Sequence, residues 1–325
     1  MKTKVSIALF AGIALCFLAL LPAPARGAGE LIPYYTPPAG GVAYILGAGM
    51  ISVTNKYMTD TKMIHEAATG TMDIVRRMMA RDAAKKDCFG VFGSVDAYRA
   101  FKGEGEYGGK PFTTLRQLVY VNGTDLYLAV PAKSSIKSYA DVKGKRIGMG
   151  GPGSTVANTA HFILEQAGVQ KKDFKPYYYT YRESVEGIQD GSLDGGFLAG
   201  GYPIAAYTEL SSRDAVRIIP VDDKILKKIV ADHPYYYEAT IKAKSYKGLE
   251  QDTKVLGFTT SVCTTTTVST EFVYRWMKNL FDHKADYYAI HTSAKDMSPE
   301  TALRGRSIPL HPGAEKYYRE VGILK

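Results

Sequence analysis

The chain has 325 residues and a formal net charge of +9, and 46% of its residues are hydrophobic. This length predicts one large domain or two medium-sized domains, each able to bury a core. Lysines and arginines are scattered between acids and do not form a basic stripe with aromatic neighbours, which argues against nucleic-acid binding. The basic balance instead suits a small anionic ligand.

Residues 1–25 are predicted to be a Sec-type signal peptide. Lys2 and Lys4 precede an apolar run over residues 5–21, and residues 23–25 (Ala-Pro-Ala) supply a small-x-small cleavage site. The alternative is an N-terminal membrane anchor, but the run is near the lower length limit for a span and the cleavage site follows it directly. We therefore expect a soluble protein exported to the periplasm.

Cys88 and Cys263 are the cysteines that follow the predicted leader. Two cysteines are too few for a disulfide framework. In an oxidising compartment they can form one bridge, and as buried side chains they would remain free thiols. The sequence leaves both alternatives open.

The N-terminal third alternates between helical and strand patterns. Helices are predicted over residues 44–57, 74–83 and 94–101, and strands over residues 64–68 and 89–92. Glycine-rich loops precede the helices. This alternation favours a largely parallel sheet with helices packed on it, an α/β fold.

Two further strands are predicted over residues 115–121 and 126–130. Asn122-Gly123 separates them, and this dipeptide is typical of a tight turn. We expect the second strand to pass from one domain to the other.

Residues 143–168 carry the most informative pattern in the chain. A strand over residues 146–149 leads into the glycine-rich bend of residues 150–153, and a helix begins at Ser154 or Thr155, whose hydroxyl groups can cap its first turn. A glycine bend at a helix N-terminus presents backbone N–H groups and the positive end of the helix dipole. We expect this bend to bind a carboxylate.

A second α/β unit follows, and the chain then returns to the first. A β-branched run over residues 255–268 is long enough to cross back, and residues 235–249 look irregular. The predicted strands lie at 174–181, 193–198 and 216–221, and the predicted helices at 184–189, 204–210, 222–231 and 271–281. We therefore divide the chain into lobe I, residues 31–125 plus 256–325, and lobe II, residues 126–255.

Residues 148–153 also fit the dinucleotide-binding pattern G-x-G-x-x-G between a strand and a helix. Pro152 removes one backbone donor from such a loop. The next predicted strand ends in tyrosines, where a ribose-binding acid is expected, and an exported protein meets little nicotinamide cofactor. The sequence therefore favours a protein without a cofactor.

Patterns for catalysis or metal binding are missing from the sequence. It contains neither the G-x-S-x-G motif of α/β-hydrolases nor the H-E-x-x-H motif of zinc proteases, and its six histidines are separated from one another. We expect no catalytic residues and no metal site.

Three stretches resemble one family of transport proteins. Residues 136–153 resemble a family segment in which a lysine-glycine-lysine turn, a short strand and a Pro-Gly-Ser bend follow one another. Residues 199–203 resemble the family's glycine-proline loop. In the family this loop follows a turn, which is formed here by Asp190, Gly191 and Asp194. Residues 309–318 (PLHPGAEKYY) resemble its C-terminal segment. Together these resemble the TAXI-type substrate-binding proteins of TRAP transporters, over nearly the whole chain after the leader.

This resemblance implies a two-lobed, type II periplasmic-binding-protein fold that closes on one ligand like a Venus flytrap. The implied ligand is a small organic acid or an acidic amino acid, and the implied partner is an integral membrane TRAP permease. Thr155 stands where the family commonly has a second glycine, which would narrow the carboxylate site. Val42 and Ala43 also make the first glycine loop more apolar than is usual.

The candidate ligand-binding residues lie in loops and first helical turns that follow strands, where α/β folds bind ligands. We expect Ser154 and Thr155 to bind the carboxylate, and the other residues to form the walls of the cleft. The full set is Gly41, Tyr44, Thr69, Gly70, Thr71, Ser94, Gly153, Ser154, Thr155, Gly201, Tyr202 and Pro203.

Ligand capture for uptake by a monomeric protein is the leading hypothesis. A periplasmic sensor subunit that hands its liganded form to a membrane histidine kinase would need the same two lobes. A dinucleotide-binding oxidoreductase is the third alternative, because of the glycine pattern at residues 148–153.

Overall fold

The computed structural model describes residues 31–39, 41–200, 204–213 and 216–325, and the predicted leader and Gly201, Tyr202 and Pro203 lie outside the described residues. The strands, in chain order, are β1 Ile32–Thr36, β2 Met63–Ala67, β3 Phe89–Gly93, β4 Leu115–Pro131, β5 Arg146–Gly148, β6 Lys175–Tyr177, β7 Gly195–Gly200, β8 Val216–Ile219, β9 Tyr236–Ile241 and β10 Thr253–Thr265. The helices are α1 Val42–Tyr57, α2 Thr71–Ala83, α3 Ser94–Lys102, α4 Thr155–Gln166, α5 Tyr181–Gln189, α6 Ala205–Arg213, α7 Asp223–Asp232, α8 Thr270–Asp282, α9 Lys284–Tyr288 and α10 Pro312–Glu320.

Two long strands, β4 and β10, form the centre of one mixed sheet. The order is β2-β1-β3-β10-β4-β7-β5-β6, with β9 added to β10 and β8 to β4. Strands β1, β2 and β3 are parallel to one another, and so are β5, β6 and β7. Strands β4 and β10 are antiparallel and pair from Leu115↔Thr265 to Leu126↔Leu256. Both strands therefore run from one set of parallel strands to the other.

The buried side chains divide into two groups along these strands. One group packs helices α1, α2, α8 and α10 around the β1–β3 side, and the other packs α4–α7 around the β5–β9 side. We call these two parts lobe I and lobe II. Val95 of α3 is an exception, because it belongs to lobe I in sequence but packs into a lobe II cluster. The expected two-lobed α/β fold is confirmed, and the residue boundaries of the lobes stay predictions.

The predicted turn at Asn122-Gly123 is wrong. Both residues lie inside the continuous strand β4, where Asn122 pairs with Thr260 and Gly123 with Thr259. Pairing with β10 supplies the hydrogen bonds that hold this dipeptide extended, and it overrides the local turn preference. Gly123 is required here for close approach, because a Cβ would lie 2.5 Å from Tyr237 Oη.

The predicted irregular region over residues 235–249 contains strand β9. Its residues pair with β10 from Tyr236↔Phe258 to Ile241↔Thr253. Tyr236 packs on one face of the sheet and Tyr237 on the other, the alternation expected of a strand. Strand β9 was not predicted, because a run of identical tyrosine residues shows no alternation between polar and apolar positions.

Cys88 and Cys263 are buried free thiols, so the sequence alternative of one bridge is not realised. Burial raises the pKa of the Cys88 thiol to about 12. None of the helices in the described ranges combines the length and the apolar character needed to cross a bilayer.

Candidate functional site

The glycine bend before α4 folds as the sequence predicts. Strand β5 ends at Gly148, and Gly150 and Gly153 adopt left-handed backbone angles (φ 86° and 63°) that favour glycine. Ser154 is the N-cap of α4, and its Oγ accepts a hydrogen bond from the Ala157 N–H at 3.1 Å. The half-buried Ser154 hydroxyl still has its own hydrogen to donate.

The helices that follow the parallel strands of lobe I begin differently. The N-caps of α1, α2 and α3 are Gly41, Gly70 and Gly93, which have no side chain to accept a first-turn N–H. At Gly41, no described heavy atom lies within 4 Å of the position a Cβ would take. The first turns of these helices therefore keep backbone donors for partners outside the helix.

The first turn of α2 meets the bend before α4 across the two lobes. The Met72 N–H donates to the Gly153 carbonyl at 3.4 Å, and Thr71 Oγ1 lies 3.1 Å from Thr155 Oγ1. A Cβ at Gly70 would lie 3.0 Å from the Pro152 carbonyl oxygen. Two predicted site segments, residues 69–71 and 153–155, are thus brought together.

A buried carboxylate, Asp96 of α3, lies beside the start of α4. Its Oδ2 accepts from the Thr155 hydroxyl, and its Oδ1 accepts from Asn158 Nδ2 at 3.1 Å. Burial raises the pKa of Asp96 to about 6, although both hydrogen bonds act in the opposite direction. Asp96 and Asn158 were not among the predicted site residues, because the packing of α3 against α4 is set by the tertiary structure.

The Thr155 side chain occupies the space between α4 and the end of β3. It is 7% exposed, and a Cβ at Gly93 would lie 2.3 Å from Thr155 Cγ2. A glycine at position 155 would leave this space empty. The residue that departs from the resembled family therefore fills part of the predicted carboxylate site.

The other predicted site residues in the described ranges are placed as follows. Ser94 is fully buried, and its hydroxyl lies 2.8 Å from Ser261 Oγ. The Tyr44 ring packs on His65 with ring centroids 4.5 Å apart, and the Thr69 hydroxyl donates to Asp73 at 3.3 Å. Their roles as ligand contacts, like those of the whole predicted set, stay predictions.

One cavity of about 690 Å³ lies where the lobes join, on the face of β4 opposite Leu126. Asp125 is 9% exposed and accepts a hydrogen bond from Tyr237 Oη at 2.7 Å. The Arg304 guanidinium lies over the Tyr120 ring, 5.6 Å from its centroid. The cavity is lined by Tyr120, Gly123, Asp125, Tyr237, Ala239, Thr240, Thr292, Ser293, Lys295, Asp296, Thr301 and Arg304. Asp125, an acidic residue within the apolar run of β4, is the feature of the sequence that could have indicated this cavity. It was overlooked because a turn was predicted at Asn122-Gly123.

A second cavity, of about 400 Å³, lies on the surface of lobe I between the end of α1 and α8. It is lined by Tyr57, Met58, Thr59, Asp60, Arg275, Lys278, Asn279, Asp282 and His283. The linings of both cavities differ from the predicted set of site residues. Within the described residues, no three histidine, cysteine or carboxylate side chains come together to hold a metal ion.

Comparison with known protein families identifies the family to which the chain belongs. The profile of the NMT1-like family matches residues 35–322, which is most of the sequence. The chain belongs to the NMT1-like family. The TAXI-type assignment is finer than this match and remains a proposal.

Solved structures resemble this NMT1-like chain over most of its length. A Xanthomonas citri protein bound to ATP is 10% identical over 90% of this chain and 96% of that one, with a TM-score of 0.51. A Bordetella bronchiseptica protein is 12% identical over 90% and 98%, also with a TM-score of 0.51. The alkanesulfonate-binding protein SsuA from Xanthomonas axonopodis pv. citri, bound to MOPS, is 16% identical over 91% and 80%, with a TM-score of 0.43. At such identities the likeness concerns the fold, which is that of two-lobed periplasmic binding proteins.

Proposed function

We propose that this NMT1-like protein is the extracytoplasmic substrate-binding subunit of a TAXI-type TRAP transporter. In this proposal it acts in the periplasm, captures a small organic acid or an acidic amino acid between its lobes and delivers it to a membrane permease. It carries out no reaction on the ligand. The observation that supports this most directly is the meeting of the first turns of α2 and α4 across the lobes.

The electrostatics of these helix starts favour an anionic ligand. Each helix N-terminus carries the equivalent of roughly half a positive charge, and its first-turn N–H groups can bind a carboxylate. Helix α1 adds a third start, at Gly41, with space around it. We place the ligand carboxylate near Ser154, whose hydroxyl hydrogen is available to donate.

The connection between the lobes suits a protein that closes on a ligand. Strands β4 and β10 both cross from lobe I to lobe II, and each lobe has its own buried clusters. A two-strand connection of this kind can bend while the lobes stay intact. Val95, Asp96, Thr71 and Thr155 supply the surface on which the lobes meet.

A thermal-shift screen of dicarboxylates, keto acids and amino acids tests the proposal. A ligand that binds only the folded form raises the melting temperature, and the shift grows with the logarithm of the ligand concentration above its Kd. Calorimetry on the best compound should show that Ser154→Ala weakens binding by roughly 1–3 kcal/mol, because a charged acceptor loses a donor. Thr180→Ala removes the equivalent hydroxyl at the start of α5 and is the matched control. Equal affinities for wild type and Ser154→Ala would show that the Ser154 hydroxyl does not bind the ligand.

Delivery to a permease needs its own test. Purified protein with bound radiolabelled ligand is added to vesicles containing the candidate TRAP permease and an imposed ion gradient. Uptake that depends on the binding protein would support transport. Tight binding without uptake would instead favour the sensor alternative.

A further inference from the structure

Five side chains form a connected set of hydrogen bonds where the lobes meet, and we call this set the junction cluster. By the predicted lobe boundaries, Thr71, Asp96 and Glu106 belong to lobe I, and Thr155 and Asn158 belong to lobe II. The Thr155 hydroxyl donates to Asp96, so the Thr71 hydroxyl donates to Thr155 at 3.1 Å. Asn158 Nδ2 donates to Asp96 at 3.1 Å and to Glu106 at 2.7 Å. Every bond in the cluster crosses from one lobe to the other.

We propose that the junction cluster is an interlobe latch, which fastens the lobes through the chain's own side chains and loosens when Asp96 ionises. All partners belong to the protein, so the bonds do not require a bound ligand. The latch requires lobes that can separate, and it would act with any class of ligand.

The backbone beside the cluster is shaped to let it form. Gly93 precedes α3 with φ −61°, an angle that any residue can adopt. A Cβ at this position would lie 2.3 Å from Thr155 Cγ2 and 2.8 Å from Thr155 Oγ1. The missing side chain is therefore needed for the approach of lobe II and not for the local turn.

The protonated form of Asp96 satisfies the cluster completely. A carboxylic acid O–H can donate to Thr155 Oγ1, the Thr155 hydroxyl can then turn to Thr71, and the other carboxyl oxygen still accepts from Asn158. The ionised form is fully buried, and burial disfavours its charge. Closing the lobes therefore favours uptake of a proton by Asp96.

Neighbouring charges modify this effect without reversing it. Glu106 raises the pKa of Asp96, and Arg99 lowers it. Arg99 also forms an ion pair with Glu106, with a nitrogen–oxygen distance of 3.8 Å, so its positive charge acts on both Glu106 and Asp96. Helix α4 presents to Asp96 only the neutral groups Thr155 and Asn158. Among the described residues, the tyrosines Tyr107, Tyr235 and Tyr236 are further titratable groups near Asp96.

The sign of the pH effect follows from these groups. The pKa of Asp96 is about 6 in the closed arrangement and near its ordinary value, about 4, once the lobes separate and water reaches it. The ratio of closed to open molecules should therefore fall about tenfold between pH 5 and pH 7.5.

Distance measurements between spin labels on the two lobes, without any added ligand, test the latch. Lys110→Cys in lobe I and Lys172→Cys in lobe II are exposed positions for labels, whereas native Cys88 and Cys263 are buried. Wild type should show a short distance at pH 5 and a growing longer-distance population at pH 7.5. Asp96→Asn, which mimics the protonated acid, should keep the short distance at both pH values.

Gly93→Ala should shift the distances to the longer population at both pH values, because the new Cβ collides with Thr155. Gly151→Ala, in the bend before α4 with no described atom within 4 Å of its Cβ position, is the matched control and should behave as wild type. If Gly93→Ala does not fold, Thr155→Val removes the hydroxyl while keeping the shape, and it should also lengthen the distance. Identical distance distributions in wild type, Asp96→Asn and the opening variants would overturn the latch, and so would opening as the pH falls.

Discussion

The first helices of the two lobes begin in two different ways. In lobe I, α1, α2 and α3 begin after glycines that supply no capping side chain. In lobe II, α4 and α5 begin after Ser154 and Thr180, whose hydroxyl oxygens accept first-turn N–H groups at 3.1 and 3.3 Å. Helices α4 and α5 are capped by their own residues, whereas α1, α2 and α3 keep first-turn N–H groups for partners outside the helix.

One of those partners is visible in lobe II itself. The Met72 N–H at the start of α2 donates to the Gly153 carbonyl, so the bend before α4 completes a lobe I helix. Glycine also lets the lobes approach, because a Cβ at Gly70 or Gly93 would come against Pro152 or Thr155. Where the lobes meet, lobe I therefore contributes first-turn backbone N–H groups and the room left by its glycines. Lobe II contributes helix starts that are already capped.

The largest expected effect concerns Asp96, the acid in the first turn of α3. Folding raises its pKa from about 4 to about 6, so the folded chain holds a proton that the unfolded chain releases in this window. This group therefore lowers the free energy of unfolding as pH rises from 4 to 7, by about 2–3 kcal/mol. Asp96→Asn removes this titratable group. The free energy of unfolding of the variant should therefore exceed that of wild type at pH 7, and the two values should approach each other at pH 4.

Urea unfolding of both proteins from pH 4 to pH 7 checks this expectation. Other acids with lowered pKa values, such as Asp73 and Asp194, lose stabilising interactions at acid pH in both proteins, so only the difference between the two is informative. A stability difference that is constant over this range would show that Asp96 titrates normally.

The second effect separates the two caps of lobe II. Ser154→Ala and Thr180→Ala should each lower the free energy of unfolding by about 1 kcal/mol, because each leaves a first-turn N–H without its acceptor. Only Ser154→Ala should also weaken ligand binding. Equal losses of binding in the two variants would mean that capping alone, and not contact with the ligand, sets the affinity.

The smallest effect comes from giving a lobe I helix the cap it lacks. Gly41→Ser fits without collision, and φ at this position is −93°. A serine cap should raise the free energy of unfolding by a few tenths of a kcal/mol. If the first turn of α1 binds the ligand, the same variant should bind more weakly, since its hydroxyl competes for the donors. Denaturant unfolding and calorimetry on one preparation measure both, and unchanged binding would exclude the start of α1 from the site.

The same contrast explains only some of the helix starts, because α3 was predicted correctly despite its glycine cap and α5 was missed despite its threonine cap. The start of α4 at Ser154 and that of α3 at Ser94 were predicted correctly. Helices α1 and α2 begin earlier than predicted, at Val42 and Thr71, because glycine gives no capping signal in the sequence. The start of α5 was also missed, although Thr180 and Glu183 form a capping box.

The alternation of strands and helices and the glycine bend before α4 were predictable from the sequence, because both depend on local periodicity, caps and backbone angles. The two lobes were expected from the run over residues 255–268 that crosses back and from the family resemblance. That Asn122 and Gly123 lie in one continuous strand, and that Asp96 of α3 meets Thr155 and Asn158 of α4, became known from the tertiary structure alone. The bonds of Asp96 join residues about sixty positions apart in the chain, and no local pattern contains both partners. Strand pairing and burial between lobes set the energy of these contacts, and both arise when distant segments pack together.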